Sequence, residues 1–239
     1  MNTGSNGHGG ILRIVSANLW NGAADPAAFA ELVEALQADV VAVQELTEAQ
    51  ATALADVMPH GMLEPSDDYL GMGIALRRPG AVRRLRLPYR DARLAELQLD
   101  GNGAGEMAVE VINVHLQAPH SPTLRCFLNR RGQLRGLERH LDAHPERRRV
   151  VIGDLNSTPL WPVYRRLSSR LIDAAVAAAE QNSHRPQPTW GPWPGAPRML
   201  RIDHALIQGL AVQDFRVVPV VGGDHSAIIV DLALPDATS

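Results

Sequence analysis

The sequence predicts a single α/β (α+β) domain with partly antiparallel sheets, on three observations. Short, apolar, β-rich runs alternate along the chain with segments of helical periodicity. Turn residues join several of those runs as hairpins. No internal repeat and no linker divides the 239 residues, of which 45% are hydrophobic, enough to bury a real core.

The elements follow in order. Ile11 to Ala17 reads as a first strand ending at Asn18-Leu19-Trp20-Asn21-Gly22. Asp25 then caps a helix with Pro26 at its first position, and Phe29, Leu32, Val33 and Leu36 share one face. Val40 to Val43 is a buried strand that ends in Gln44-Glu45, and Thr47 to Val57 is helical. Strands are expected at 73–76, 82–87, 94–99 and 107–116, with a hairpin signal at Gly101-Asn102-Gly103. A long helix over 123–143 places Phe127, Leu134, Leu137 and Leu141 on one face. Val150 to Ile152 leads into Gly153-Asp154-Leu155-Asn156. Residues 164–180 read as largely helical and 181–197 as Pro-rich loop, before closing strands near 202–207 and 228–232.

Composition closes several classes of chemistry. The chain has no lysine, so its 23 basic residues are all arginine, and Schiff-base, P-loop and lysine-base mechanisms are excluded. One cysteine, Cys126, excludes an internal disulfide and a cysteine-based zinc site; within its helix it reads as a packed or half-exposed thiol. Net charge is -3 and pI about 6.3, without the overall basic footprint of a duplex-binding protein. No apolar run approaches the ~20 residues of a membrane span. Residues 1–10 read as a polar, disordered leader rather than a signal peptide, so the expectation is a cytoplasmic protein with its domain over 11–235.

The informative pattern is where polar residues fall. Asn18, Glu45, His115, the Asp154/Asn156 pair, the Asp203/His204 pair and the Asp224/His225 pair all lie at ends of apolar strands. Alone, Asn18 fits a turn, His115 a structural histidine, and Asp154/Asn156 an Asx-turn as readily as a site. Six such clusters are hard to explain as caps. Strand ends of an α/β fold converge on one rim, where carboxylates and amides without cysteines suit Mg²⁺ or Mn²⁺. Histidines beside further carboxylates suit proton transfer and charge stabilisation at phosphorus.

At these residues the chain resembles the endonuclease/exonuclease/phosphatase superfamily, which includes pancreatic deoxyribonuclease. The ordered set is Asn18, Gln44-Glu45, Asn113-Val114-His115-Leu116, Gly153-Asp154-Leu155-Asn156, Arg201-Ile202-Asp203-His204 and Gly223-Asp224-His225-Ser226. The resemblance implies a four-layer α/β sandwich, two packed mixed β-sheets flanked by helices, and a metal-dependent phosphoester hydrolase. It implies Glu45 as principal ligand of Mg²⁺ or Mn²⁺ with Asn18 beside it, and Asp224 near the metal or the water. Asp154 would orient or deprotonate the attacking water, and Asn156 would hold a phosphate oxygen. His225, oriented by Asp203, would contact the scissile phosphate, and His115 would bind phosphate or assist the leaving group.

The substrate is less determined. A monomer acting on a phosphoester is expected, whether small molecule, nucleic acid or lipid head group, and a phosphodiesterase is favoured over a phosphomonoesterase or a nuclease for exposed strands. Arg201 is a candidate for a second phosphate, against an ordinary salt bridge. Trp190 is a candidate stacking surface, against loop packing. Arg125 to Arg149 holds eight arginines against three acids, either a polyanion patch or a solvated helix face. A non-catalytic polyanion-binding module is the rival of another class.

Overall fold

Alternation within each strand decides the architecture. The structure, a computed structural model, describes residues 10–101, 105–119 and 123–234. Strand β1 (Ile11–Asn18) sends Leu12 and Ile14 to one face and Val15 and Ala17 to the other. β2 (Val40–Gln44) splits Val40 and Ala42 from Val41 and Val43 in the same way. Both faces are buried, which is why these strands read as continuous apolar runs.

With β3 (His60–Glu64), β4 (Met72–Leu76), β11 (Ala211–Pro219) and β12 (Ser226–Ala233) they form one six-stranded sheet, ordered β11-β12-β1-β2-β4-β3. The second sheet holds β5 (Ala81–Leu85), β6 (Ala92–Gly101), β7 (Gly105–His115), β8 (Arg148–Asp154), β9 (Ile172–Asp173) and β10 (Asp203–Gln208). Its order is β5-β6-β7-β8-β10-β9. Each sheet is mixed: β1–β2 and β7–β8 run parallel, and the remaining pairs antiparallel.

Between the sheets, Leu12, Ile14, Val40 and Ile74 meet Val109, Val111, Val150 and Ile152. Helices α1 (Pro26–Leu36) and α2 (Glu48–Val57) cover the outer face of the first sheet through Phe29, Val33 and Leu54. Helices α3 (Leu124–Ala143) and α4 (Pro162–Ser168) cover the second through Leu134, Leu137, Val163 and Leu167. Helix α5 (Ala174–Gln181) adds Ala174, Ala175 and Ala178 to the inter-sheet layer. This is the four-layer α/β sandwich expected from the sequence. No helix among the described residues is long and apolar enough to cross a membrane.

The sequence reading departs from the structure in several places. Three strands were not anticipated: the two-residue β9, inside the stretch read as helical, and the longer β3 and β11. The longer two are sheet edges; β3 is partly exposed, and β11 alternates exposed polar residues around a bulge between Val212 and Asp214, so neither carries an apolar run. The helix expected over 164–180 is two helices, because Asp173 caps a second one by accepting from the Ala175 and Val176 amides. Phe127 is exposed, not inward: the first turns of α3 instead bury Cys126, Arg130 and Gln133 against the chain after β7. Residues 1–9 of the leader expected over 1–10, residues 102–104 at the Gly101-Asn102-Gly103 turn signal, and Pro235 lie outside the described residues. Gly10 is described, and its carbonyl accepts the Leu234 amide.

Two features tie the sheets together at the end that matters. Gln44, last in β2, donates through Nε2 to Asn113 Oδ1 in β7 at 2.7 Å. Asn113 in turn donates to the carbonyls of Val43 (2.9 Å) and Gly73 (2.8 Å) in the first sheet. These buried amides bridge the two layers one residue before Glu45 and two before His115. Beside them Gly153 sits at φ +130°, where an added Cβ would lie 2.2 Å from the Val114 carbonyl oxygen and 3.0 Å from Asn113 Oδ1. Only glycine lets β8 pass β7 this closely. Gly153→Ala is expected to cost roughly 2–4 kcal/mol through backbone strain and overpacking. The urea midpoint measures it, and an unchanged midpoint would remove the requirement for glycine.

Candidate active site

The strand registers gather the polar strand ends into one rim. Asn18 is opposite Gln44, His115 opposite Asp154, and Asp154 opposite Asp203. The chain leaves β1, β2, β7 and β8 at this rim, and enters β10 and β12 there. Asn18, Glu45, Asp224 and His225 therefore come from the first sheet, and His115, Asp154 and Asp203 from the second. The cleft between them, about 760 Å³, is lined by Glu45, His115, Asp154, Asn156, Asp224 and His225.

Each side chain is fixed by named partners. Asn18 donates through Nδ2 to Glu45 Oε1 (3.0 Å) and Asp154 Oδ2 (3.2 Å), while its Oδ1 accepts the Trp20 amide (2.9 Å). In this orientation Asn18 bridges two carboxylates, and its Oδ1 keeps a second lone pair beyond the Trp20 amide. Asp154 also accepts the Asn156 amide (2.7 Å) and Asn156 Nδ2 (2.9 Å). The second Nδ2 hydrogen of Asn156 goes to the Leu116 carbonyl at 3.0 Å. The two Nδ2 hydrogens of Asn156, the residue expected to hold a phosphate oxygen, are thus directed to Asp154 and to the Leu116 carbonyl. Glu45 and Asn156 both adopt positive φ, 55° and 47°, uncommon backbone for non-glycine residues.

His225 Nδ1 lies 2.9 Å from Asp203 Oδ2, which also accepts the Thr189 hydroxyl at 2.6 Å. Burial works against a charged imidazole, but the adjacent Asp203 carboxylate outweighs it and pushes the His225 pKa up to about 9. His225 is therefore a cation at neutral pH. Burial, then the Asp203 charge, raises the Asp154 carboxyl well above its ordinary range. Burial likewise raises Glu45. His115 Nε2 stands 3.7 Å from Glu45 Oε1 and 3.6 Å from Asp154 Oδ2. Burial and the neighbouring cations Arg90 and His225 keep it neutral.

Asp154, Asp203 and His225 present ligand atoms within 4.8 Å of one another, a grouping that could bind a metal. Its donors are nevertheless heavily used within the protein: both Asp203 oxygens face His225 Nδ1, and both Asp154 oxygens accept amide hydrogens. By contrast, Glu45 Oε2 and Asp224 Oδ1 are buried with no hydrogen-bond partner among the described residues. Carboxylate oxygens of this kind are the donors that hard divalent cations prefer.

Two expected substrate contacts are placed otherwise. Arg201 does not line the cleft: it is buried, donates to Asp173 Oδ2 at 2.6 Å and lies over the Tyr164 ring. Arg201 precedes β10, and its guanidinium lies with His204, Nη1 being 3.2 Å from His204 Nδ1. His204 faces Tyr164 and the Ser157 carbonyl, while Asp203 turns to His225. Trp190 does line the cleft, yet its indole N–H donates to Asp224 Oδ2 at 3.1 Å, making it a support for that carboxylate. The arginine-rich stretch is likewise broken up, with Arg130 donating to the Gln117 and Asn156 carbonyls and Arg149 fully buried.

The sequence reading passed over several residues that build the site. Arg198 donates to the Ser226 hydroxyl and to the carbonyls of Gly223, Asp224 and His225, clamping the loop that carries Asp224 and His225. Thr189 holds Asp203. Arg90, Tyr69 and Tyr89 line the cleft wall. Arg198 and Thr189 sit in an irregular Pro-rich loop with no periodicity to mark them. Arg90 follows a Pro-Tyr turn and had only its position before a strand to single it out.

Comparison with known proteins agrees with this geometry. Residues 15–225 match the Endonuclease/Exonuclease/phosphatase family. The chain belongs to that family, whose members are generally metal-dependent hydrolases of phosphoester bonds. Similar solved structures include an endonuclease/exonuclease/phosphatase from Beutenbergia cavernae, with TM-score 0.70 and 22% identity over 95% of this chain and 72% of that one. The human Nocturnin catalytic domain gives 0.69 and 18%, covering 94% of this chain and 95% of that one. TDP2 from Caenorhabditis elegans gives 0.68 and 16%, covering 93% and 74%. No curated protein matches the chain.

Proposed function

We propose that this protein is a Mg²⁺- or Mn²⁺-dependent phosphodiesterase in which water attacks phosphorus. The observation that carries the reading is a pair of buried oxygens without hydrogen-bond partners among the described residues, Glu45 Oε2 and Asp224 Oδ1, in the same cleft as a histidine held cationic by Asp203. Glu45, with Asp224, would hold the ion. When bound, the ion supplies positive charge to a phosphoryl oxygen.

The protein's own groups supply the rest. Asp154, its carboxyl raised toward neutrality by burial, accepts the proton of the attacking water. Asn18 and Asn156 fix the two oxygens of Asp154 so that it faces one direction. His225 commits Nδ1 to Asp203 and keeps Nε2–H as a charge-assisted donor for an oxygen that gains charge in the transition state. His115, neutral beside Glu45 and Asp154, is suited to the leaving-group oxygen. No covalent intermediate on the protein is needed.

The test is hydrolysis of bis-p-nitrophenyl phosphate and p-nitrophenyl phosphate, with Mg²⁺, Mn²⁺ or EDTA. The expected result is metal-dependent cleavage of the diester, abolished by EDTA and restored by excess metal. Preference for the monoester would move the assignment to a phosphomonoesterase, and EDTA-resistant cleavage would overturn the metal's role.

A further inference from the structure

The exposed apolar side chains of this protein are concentrated at one end. The six most exposed large ones among the described residues, all at least 60% exposed, are Leu124, Phe127, Leu160, Trp193, Met199 and Val221. Each belongs to the end that bears the cleft. Leu124 and Phe127 follow β7, Leu160 follows β8, Trp193 and Met199 precede β10, and Val221 precedes β12. Tyr69, Tyr89 and Trp161 are also exposed and line the cleft itself. Ile172, on the edge strand β9, is the exception away from this rim. At the opposite end, the turns at 37–39, 77–80, 144–147 and 209–210 carry no exposed large apolar side chain among the described residues. Single apolar residues on a surface need no explanation, but such a concentration marks a face that something covers.

Charge indicates what covers it. In α3, Leu124, Phe127, Leu128, Arg131 and Arg135 fall on one exposed face, with the apolar residues in the first turns and the arginines behind them. Arg125, Arg131 and Arg135 form no ion pair among the described residues, and no acid occurs in α3 before Glu138. Apolar tips backed by unpaired arginines are complementary in charge and polarity to an anionic bilayer: the tips enter the acyl boundary while the guanidinium groups meet head-group phosphates. Tyrosine and tryptophan favour that same boundary between lipid and water. A nucleic acid stacked on the aromatic rings would leave the aliphatic Leu124, Leu160, Met199 and Val221 without a role. A protein seated on these residues would close the cleft that a substrate must enter.

We propose that the mouth of the cleft is a docking surface for an anionic lipid bilayer. Docking rests on the exposed side chains alone. The substrate class it adds, a phosphoester on the head group of a membrane lipid, rests on the phosphodiesterase reading of the cleft. With the rim on the bilayer, the opening that leads to Glu45, Asp154 and His225 faces the head groups, and a lipid is reached without drawing its tails into water.

Flotation of the full chain with vesicles in EDTA tests docking apart from catalysis. The vesicles are phosphatidylcholine alone, or equal parts of phosphatidylcholine and phosphatidylglycerol. The wild type is expected to float with the mixed vesicles and to bind the neutral ones about ten-fold more weakly. Phe127→Ser/Leu160→Ser and Arg131→Gln/Arg135→Gln are each expected to weaken binding to the mixed vesicles about ten-fold, and raised salt should reproduce only the arginine loss. All four positions are exposed and outside the cleft, so thermal midpoints and hydrolysis of soluble bis-p-nitrophenyl phosphate should not change. Failure of the wild type to float with the mixed vesicles, or equal binding by the folded variants, overturns the proposal. Self-association through these residues in place of vesicle binding overturns it as well. Vesicle binding by a protein that hydrolyses no phosphodiester, soluble or in the vesicle, supports docking and counts against the phosphodiesterase reading; hydrolysis without vesicle binding does the reverse.

Discussion

Replacing His225 with alanine is expected to lower kcat by about 10²–10⁴-fold, the range for a lost charge-stabilising or proton-transferring group. Glu45→Gln is expected to lose turnover as severely, for a separable reason: it removes a metal-facing charge. The two variants should therefore differ in Mn²⁺ binding, retained in His225→Ala and weakened in Glu45→Gln. Their stabilities should differ as well. Burial already disfavours the ionised Glu45, so the neutral isostere is expected to be as stable as the wild type or more so. His225→Ala leaves the buried Asp203 without its cation and is expected to be less stable. The pH dependence follows from the sign of the shift. A histidine raised from 6.5 to about 9 contributes stability that is complete below 6.5 and lost as pH rises through about 9. The gap between wild type and His225→Ala in urea should close on the alkaline side. Near-normal turnover in either variant would defeat the assignment of these residues.

Arg201→Met is expected to destabilise the fold by about 3–5 kcal/mol, because it strands the buried Asp173 carboxylate. Asp173 otherwise joins Arg201, the Tyr164 hydroxyl at 2.5 Å and the α5 N-terminus. Burial opposes its ionisation, but His204 and Arg201 beside it hold its pKa well below the ordinary 3.8. A depressed carboxylate contributes stability that is complete above 3.8 and lost as pH falls toward its folded value. The stability gap between wild type and Arg201→Met should therefore be widest near neutral pH and narrow below about 4. Substrate affinity of the folded fraction should be unchanged. A large rise in KM with normal stability would instead return Arg201 to the substrate.

What was legible in the sequence follows from which forces leave a local trace. Strands buried on both faces must be apolar at every position, so β1, β2, β7 and β8 announced themselves, and the polar residues at their ends stood out by contrast. Edge strands β3 and β11 face solvent on part of their surface and left no such run. Side-chain direction was not legible either. Asp203 and Arg201 lie two residues apart, yet one faces the cleft and the other a buried ion pair with Asp173, a residue nearly thirty positions away in the chain. Asn18 and Asn156 were recognisable as polar site residues, but their donation to Asp154 depends on three strand ends meeting. Arg90 and Arg198 sit in loops, where no period exists to expose them.

The pairing of β1 with β12 also determines where the domain can be handled. At one end of this pair lie Asn18 and His225; at the other, the Leu234 amide donates to the Gly10 carbonyl at 2.7 Å. Eight residues of extended β1 separate the two ends, about 25 Å. A short peptide joining positions 10 and 234, with new ends opened in an exposed turn, should yield a circularly permuted enzyme with its cleft untouched. The same geometry lets a surface anchor attached at that side present the mouth of the cleft outward to solution.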